Sequence, residues 1–440
     1  MSTIPEEARA LSQNDFMERG ALSALQLERL KATVAFAYQN QKLFRQRMDE
    51  RGLGPDCVKD LTDIQKLPFF TKIDLRDTYP FGLLCIPMKD VARLHASSGT
   101  TGKPIVVPSN RNDLEIWRSA VCRALVMIGL GQEDVLQNSY GYGLFTGGLG
   151  LHDGGEKLGL TVLPTSSGNT ERQLRLMKDF GVTAISCTPS YFIYMIEKGK
   201  ELGIEISSTK LRHGIFGAEP WTAEMRARIE AESGIHAWDI YGLTEICGPG
   251  VAMECPAHAG LHVFEDYFYP EVINSETGEA LPDGEEGELV LTTLCKRAMP
   301  LIRYRTRDVS VILPEKCECG RTIRRIKRID HRNDDMLIIR GVNVFPSQIE
   351  AALLTVEGVQ PYYHIVVSRK GDLDDLEVKV EVSGELLGDT IRTVENLQKR
   401  IANAVKTTIG LAVKITLVEP GSLSRSEGKA KRVTDLRKSN

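Results

Sequence analysis

Between residues 90 and 300, short apolar runs alternate with longer amphipathic segments, and this alternation most limits the folds open to the chain. Thr161-Val162-Leu163 leads to a helical pattern over 170–180, then to Ala184-Ile185-Ser186-Cys187. A second round runs through a helical pattern over 190–202 to Gly214-Ile215-Phe216 and a further helix over 222–233. Strands spaced this way pair in parallel, because a parallel crossover needs a dozen or more residues, usually a helix. The expected fold class is therefore α/β with a mainly parallel sheet. Glu286 to Thr293 alternates as an exposed strand does, and predicts the start of a smaller β-rich subdomain. Upstream, Leu22, Leu25, Leu27, Leu30 and Val34 predict helix over about 15–50.

The last quarter of the chain has a different order. A helix over 346–354 precedes strand-like stretches at 364–368 and 376–382, a helix over about 390–407 and a strand at 413–418. This predicts a compact α+β domain over 334–440, leaving 1–333 as the larger N-terminal domain. The polar run Asp330-His331-Arg332-Asn333-Asp334-Asp335 marks the boundary. A chain of 440 residues is long enough for more than one core.

Composition excludes several classes of function. A net charge of −4 provides no global field toward nucleic acid or an anionic membrane. No apolar run reaches the roughly 20 residues that span a bilayer, and residues 3–7 do not resemble a signal peptide. A cytoplasmic protein is expected. Nine cysteines, an odd number in so long a chain, argue against a disulfide framework. Six are dispersed as packing residues; Cys255, Cys317 and Cys319, with His262, have donors of the kind zinc takes.

Four segments hold the chemistry. Ser97-Ser98-Gly99-Thr100-Thr101-Gly102-Lys103-Pro104 combines hydroxyls, glycines and an ammonium, suited to cradling a polyphosphate, and departs from the Walker spacing. Taken alone, it fits a solvated loop equally well. Tyr241-Gly242-Leu243-Thr244-Glu245 follows a strand-like run and places a carboxylate where magnesium can sit between phosphate oxygens. Asp308, within Tyr304-Arg305-Thr306-Arg307-Asp308, suits two ribose hydroxyls or a surface ion pair. Gly428-Lys429 lies in a cationic tail that suits either solvent or the charge developing at an attacked α-phosphate.

In order and spacing these segments resemble the adenylate-forming acyl-CoA ligase superfamily, over essentially the whole chain. Tyr140 to Gly150, Phe264 to Pro270 and Gly341 to Gln348 resemble the phenylacetate–CoA ligases within it. The resemblance implies an ANL-type adenylation domain followed by a mobile C-terminal lid that turns about Asp334. It implies ATP and AMP contacts from Ser97, Ser98, Gly99, Thr100, Thr101, Gly102, Lys103, Gly217, Ala218, Glu219, Pro220, Asp239, Ile240, Tyr241, Gly242, Thr244, Asp308 and Arg332. Lys429 and Glu245 are implied as catalytic, Glu245 through magnesium. Tyr140, Phe145, Gly147, Ile240 and Pro249 would line an aryl pocket, or else pack a core. Cys255, His262, Cys317 and Cys319 would hold a structural zinc, with His258 competing for the histidine position.

The implied reaction joins an aryl acid, phenylacetate first, to coenzyme A through an acyl-adenylate formed from ATP. Two other readings stand beside it. A related adenylating enzyme would release an AMP-modified product without coenzyme A. A zinc-bearing nucleic-acid module would use the basic run Arg321 to Arg328, against the net charge and the lack of interleaved aromatics. Small-molecule substrates are the expected partners, with no nucleic acid and no membrane, and the N-terminal helices suit a homodimer.

Overall fold

The computed structural model describes residues 4–97, 104–333, 335–340, 342–370, 373–382, 391–425 and 432–438. The chain divides into two compact units. One comprises Met1–Cys187, Thr209–Ala218 and Trp238–Arg328; the other comprises Thr188–Ser208, Glu219–Ala237 and Ile329–Asn440.

In the first unit the described residues form one eleven-stranded sheet with two characters. Val135–Asn138 pairs in parallel with Thr161–Leu163 and with Ala184–Cys187, which in turn pairs in parallel with His213–Phe216. These are the strands that alternate with helices in the sequence, and all four residues of Ala184–Cys187 are buried, as expected of a strand covered on both faces. The sheet then continues through His236–Leu243, Gly248–Glu254, Leu261–Val263, Arg325–Ile326, Tyr304–Leu313, Glu286–Thr293 and Phe268–Ile273. From His236–Leu243 onward every pairing is antiparallel.

The structure corrects the sequence expectation for Glu286–Thr293. From Glu288 onward the strand is buried throughout, because Phe268–Ile273 and Tyr304–Leu313 flank it within the same sheet. Its apparent polar face is misleading: fully buried Glu288 is neutralised by Arg305 at 2.6 Å and approached by Arg307 at 3.4 Å. The N-terminal region is helical as expected but segmented, with Glu6–Ser12, Arg19–Asn40 and Lys42–Glu50. The break falls at Gln41, whose buried amide donates to the carbonyls of Leu83 and Pro300 at 3.2 and 3.3 Å. A separate antiparallel hairpin, Arg93–Ser97 with Ile105–Ser109, places Ser97 opposite Ile105. Thus the two ends of the glycine- and hydroxyl-rich run lie side by side.

In the second unit, a four-stranded sheet runs in the order Lys414–Val418, Leu373–Val382, Val359–Lys370, Val433–Asp435. Helices Pro346–Leu354 and Ile391–Ile409 contribute Ile349, Leu353, Ile401 and Val405 to a core shared with Ile365 and Val378. The edge strand Val433–Asp435 has no counterpart in the sequence expectation. It joins parallel to Val359–Lys370. Glu381, fully buried, accepts from the backbone of Gly421 and Leu423 and pairs with Arg425 through both oxygens. Tyr362 donates to Glu197 of helix Pro189–Glu201 at 2.7 Å.

Candidate active site

The turn between His236–Leu243 and Gly248–Glu254, with the strand ends that flank it, carries Asp239, Ile240, Tyr241, Gly242, Thr244, Glu245 and Pro249, and meets Asp308 and Gly217. The two strands pair until Tyr241, where the register shifts, and Gly242 lies opposite Pro249. A Cβ on Gly242 would sit 1.7 Å from the Gly248 carbonyl oxygen, so only glycine fits. Gly217 faces the same restriction, 2.4 Å from the Ile240 carbonyl oxygen, and Ala218 next to it adopts a left-handed backbone with φ of 69°. Asp239, at the base of the turn, accepts from Arg328 at 3.0 Å.

Tyr241 donates its hydroxyl to Asp308 Oδ2 at 2.6 Å. That bond fixes the direction of a carboxylate that is only 4% exposed. Thr244 Oγ1 lies 3.2 Å from Thr146 Oγ1. Glu245 is 7% exposed, and among the described residues its carboxylate has no hydrogen-bond or ion-pair partner. A carboxylate buried to that degree is ordinarily paired or bound to a cation, so this residue fits a magnesium ligand.

The aryl-pocket residues divide into three places. Tyr140 and Phe145 approach with ring centroids 6.4 Å apart, and a Cβ on Gly147 would sit 2.4 Å from Phe145 Cε1. Pro249 lies against Gly150, and its carbonyl accepts from Trp117 Nε1 at 2.8 Å. Ile240 packs against Gly217. In the second unit, Glu219 accepts from the Ser190 backbone N–H at 2.9 Å, Pro220 follows it, and Arg332 Nε lies 4.0 Å from Asp335. Ser98, Gly99, Thr100, Thr101, Gly102, Lys103, Asp334 and Lys429 lie outside the described residues.

Sequence reasoning missed the cavity behind the turn, lined by His95, Asp113, Trp117, Thr244, Cys247 and Lys296 among others. His95 is 2% exposed; burial lowers the pKa of its imidazole, and its Nε2 has no partner among the described residues. Lys296 reads in sequence as half of a solvated Lys-Arg pair, and no periodicity marks it as buried.

The four zinc-type donors converge. Cys255, His262, Cys317 and Cys319 place one ligand atom each within 4.8 Å of the others. Cys255 and Cys317 sulfurs are 3.6 Å apart, and Cys319 Sγ is 3.3 Å from His262 Nε2. Tetrahedral zinc would separate its ligand atoms by about 3.3–3.8 Å, so the donor set fits. His262 Nδ1 lies 3.1 Å from the Ile323 carbonyl, and this contact orients Nε2 inward. His258 instead stacks on Trp238 at 4.8 Å and lies 3.4 Å from Glu254, away from the cluster.

The basic run nearby is taken up internally. Arg321 pairs with Asp15, Arg324 with Glu265, Lys327 with Glu286 and Arg328 with Asp239. Those partners disfavour the nucleic-acid reading.

Residues 24–295 match the AMP-binding enzyme family, and residues 341–437 match the AMP-binding enzyme C-terminal domain. The chain belongs to the AMP-binding enzymes and, within them, to the phenylacetate–CoA ligase family. It is 48% identical over 436 residues to the phenylacetate-coenzyme A ligase of Thermus thermophilus, covering 96% of this chain and 98% of that one. Against the phenylacetate-coenzyme A ligase of Escherichia coli the identity is 49% over 418 residues, with 94% and 95% covered. A crystal structure of 2-hydroxyisobutyryl-CoA ligase in the postadenylation state, in complex with 2-HIB-AMP, superimposes with a TM-score of 0.90 at 27% identity. The match covers 97% of this chain and 92% of that one.

Proposed function

We propose that this chain is an acid–thiol ligase that converts phenylacetate, ATP and coenzyme A to phenylacetyl-CoA, AMP and diphosphate. Near-full-length identity of about one half to phenylacetate-coenzyme A ligases carries the reading. Glu245, buried and without a hydrogen-bond or ion-pair partner among the described residues, supports it.

In the first half-reaction a carboxylate oxygen of the acid attacks the α-phosphorus. The bond to the bridging oxygen breaks, and diphosphate leaves. Ser97 to Lys103 hold the phosphates, Asp308 accepts from the ribose, and Gly217 to Pro220 wall the adenine. Glu245 would hold magnesium, which when bound would supply positive charge to offset that of the phosphates, and Thr244 contacts the nucleotide. Lys429 offsets charge on the attacked phosphoryl group. Tyr140, Phe145 and Gly147 orient the flat acid. In the second half-reaction the coenzyme A thiol attacks the adenylate carbonyl and AMP leaves, after the 334–440 domain has turned about Asp334. Cys255, His262, Cys317 and Cys319 hold a structural zinc; four protein ligands close such a site to substrate. No described helix is long and apolar enough to cross a membrane, and a cytoplasmic site of action is proposed.

ATP–diphosphate exchange over a panel of aryl acids, with thioester analysis, tests the reading. Exchange strongest with phenylacetate, together with an aryl-CoA product, is expected. Exchange without thioester would replace it with the AMP-transferring alternative, and no exchange with any acid would overturn it.

A further inference from the structure

Lys296 is buried beside the Glu245 turn and has no place in the chemistry above. Its Nζ donates to the carbonyl oxygens of Glu245 and Ile246, each at 3.0 Å. The turn's own N–H groups point the other way: Ile246 and Cys247 both donate to the Leu243 carbonyl at 3.1 Å. The two carbonyls therefore have a side-chain ammonium where a ladder would supply backbone donors.

The lysine is itself held in place. Asp113, in the first turn of helix Arg111–Met127, accepts from the backbone N–H groups of Arg297 and Ala298 at 2.7 and 2.9 Å. The same carboxylate accepts from Asn110, whose side chain in turn caps the helix at Asp113. One rigid helix start thus grips the backbone on the C-terminal side of Lys296, and Lys296 grips the turn. Burial pushes the ammonium's pKa down, whereas Cys247, Asp113 and Glu245 act against that shift. An apolar side chain would fill this volume without desolvating a charge. The ammonium earns its place through what it donates to.

We infer that Lys296 is a positioning residue that, braced by Asp113, fixes the direction in which the 244–247 turn presents the Glu245 carboxylate. The inference rests on the proposed role of Glu245 in holding magnesium. A turn free to rotate would present the carboxylate in several directions, so the site would bind magnesium more weakly and align the phosphates less often.

The test is diphosphate exchange as a function of magnesium concentration at fixed ATP, for the wild type, Lys296→Met, Lys296→Arg and Glu245→Gln. Conversion of supplied phenylacetyl-adenylate and coenzyme A to thioester is measured in parallel. Lys296→Met is expected to raise the magnesium needed for half-maximal exchange about fivefold and to lower the exchange kcat about tenfold. The thioester half-reaction should stay within about twofold, and Lys296→Arg, which keeps a cationic donor, should recover most of the loss. A Lys296→Met magnesium curve that superimposes on the wild type, with only the melting midpoint lowered, would overturn the inference. If Lys296→Met does not fold, Lys296→Gln decides by the same curve. Glu245→Gln separates the two ideas: if it leaves the magnesium curve unchanged, the reading of Glu245 itself falls; if it shifts the curve and the Lys296 variants do not, only the brace is wrong.

Discussion

Tyr241 has a single hydroxyl hydrogen and directs it to Asp308, 67 residues away in sequence. A hydrogen bond to a charged group contributes about 1.5–3 kcal/mol, enough to hold one carboxylate rotamer against its alternatives. Tyr241→Phe should therefore leave the fold in place and raise KM for ATP about fivefold, with a smaller change in kcat. Steady-state kinetics at saturating acid checks this, and an unchanged KM would remove Asp308 orientation from the account. At this scale the sequence was legible where a motif pairs an uncommon residue with a tight turn. Gly242 is of that kind, where strand His236–Leu243 runs into its turn, and it has no room for a side chain. Lys296 and His95 were not legible. A buried lysine becomes visible only once two carbonyls are found at its tip, and a buried histidine only once Trp117 is found at its edge, 5.4 Å between ring centroids.

Among elements, those whose pattern follows from their own neighbours along the chain were readable. Thr161–Leu163 and Ala184–Cys187 match their expected bounds, as does helix Pro346–Leu354 with proline at its first position. Glu286–Thr293 was misread in exposure because its salt bridges come from a partner strand, and Val433–Asp435 was missed because three residues beside a basic run show no period. The strands and loops at Cys255, His262, Cys317 and Cys319 come from separate stretches, and their convergence is a tertiary fact. Protein purified without chelator should contain about one zinc per chain, and Cys317→Ser should drop this below about 0.2. Metal analysis decides; a wild-type value near zero would leave four thiol and imidazole groups packed without an ion.

Across the first unit, one ion cluster ties distant parts of the chain together. Arg123 is fully buried between Asp15 at 2.6 Å and Asp266 at 2.8 Å, with its guanidinium 4.6 Å from the centre of the Phe264 ring. Arg123→Met would leave buried Asp266 without its counter-charge and Asp15 with Arg321 alone, a loss of about 3–5 kcal/mol. Chemical denaturation should show that loss, and a change under about 1 kcal/mol would mean that water or neighbouring arginines compensate. The sequence placed Asp15 at the start of a helical stretch and gave Arg123 and Asp266 no element, with no sign that they meet. The bond between Tyr241 and Asp308 has a geometric consequence of its own. Their strands are four steps apart in the sheet, and at about 4.8 Å per step a flat sheet would hold them near 19 Å from each other. Two side chains cannot reach across that gap, so the five strands from His236–Leu243 to Tyr304–Leu313 must curl toward closure, and the short strands Leu261–Val263 and Arg325–Ile326 permit the bend. Asp308 and Tyr241 therefore owe their contact to curvature, and any substitution that flattens those strands will part them along that seam while leaving both residues unchanged.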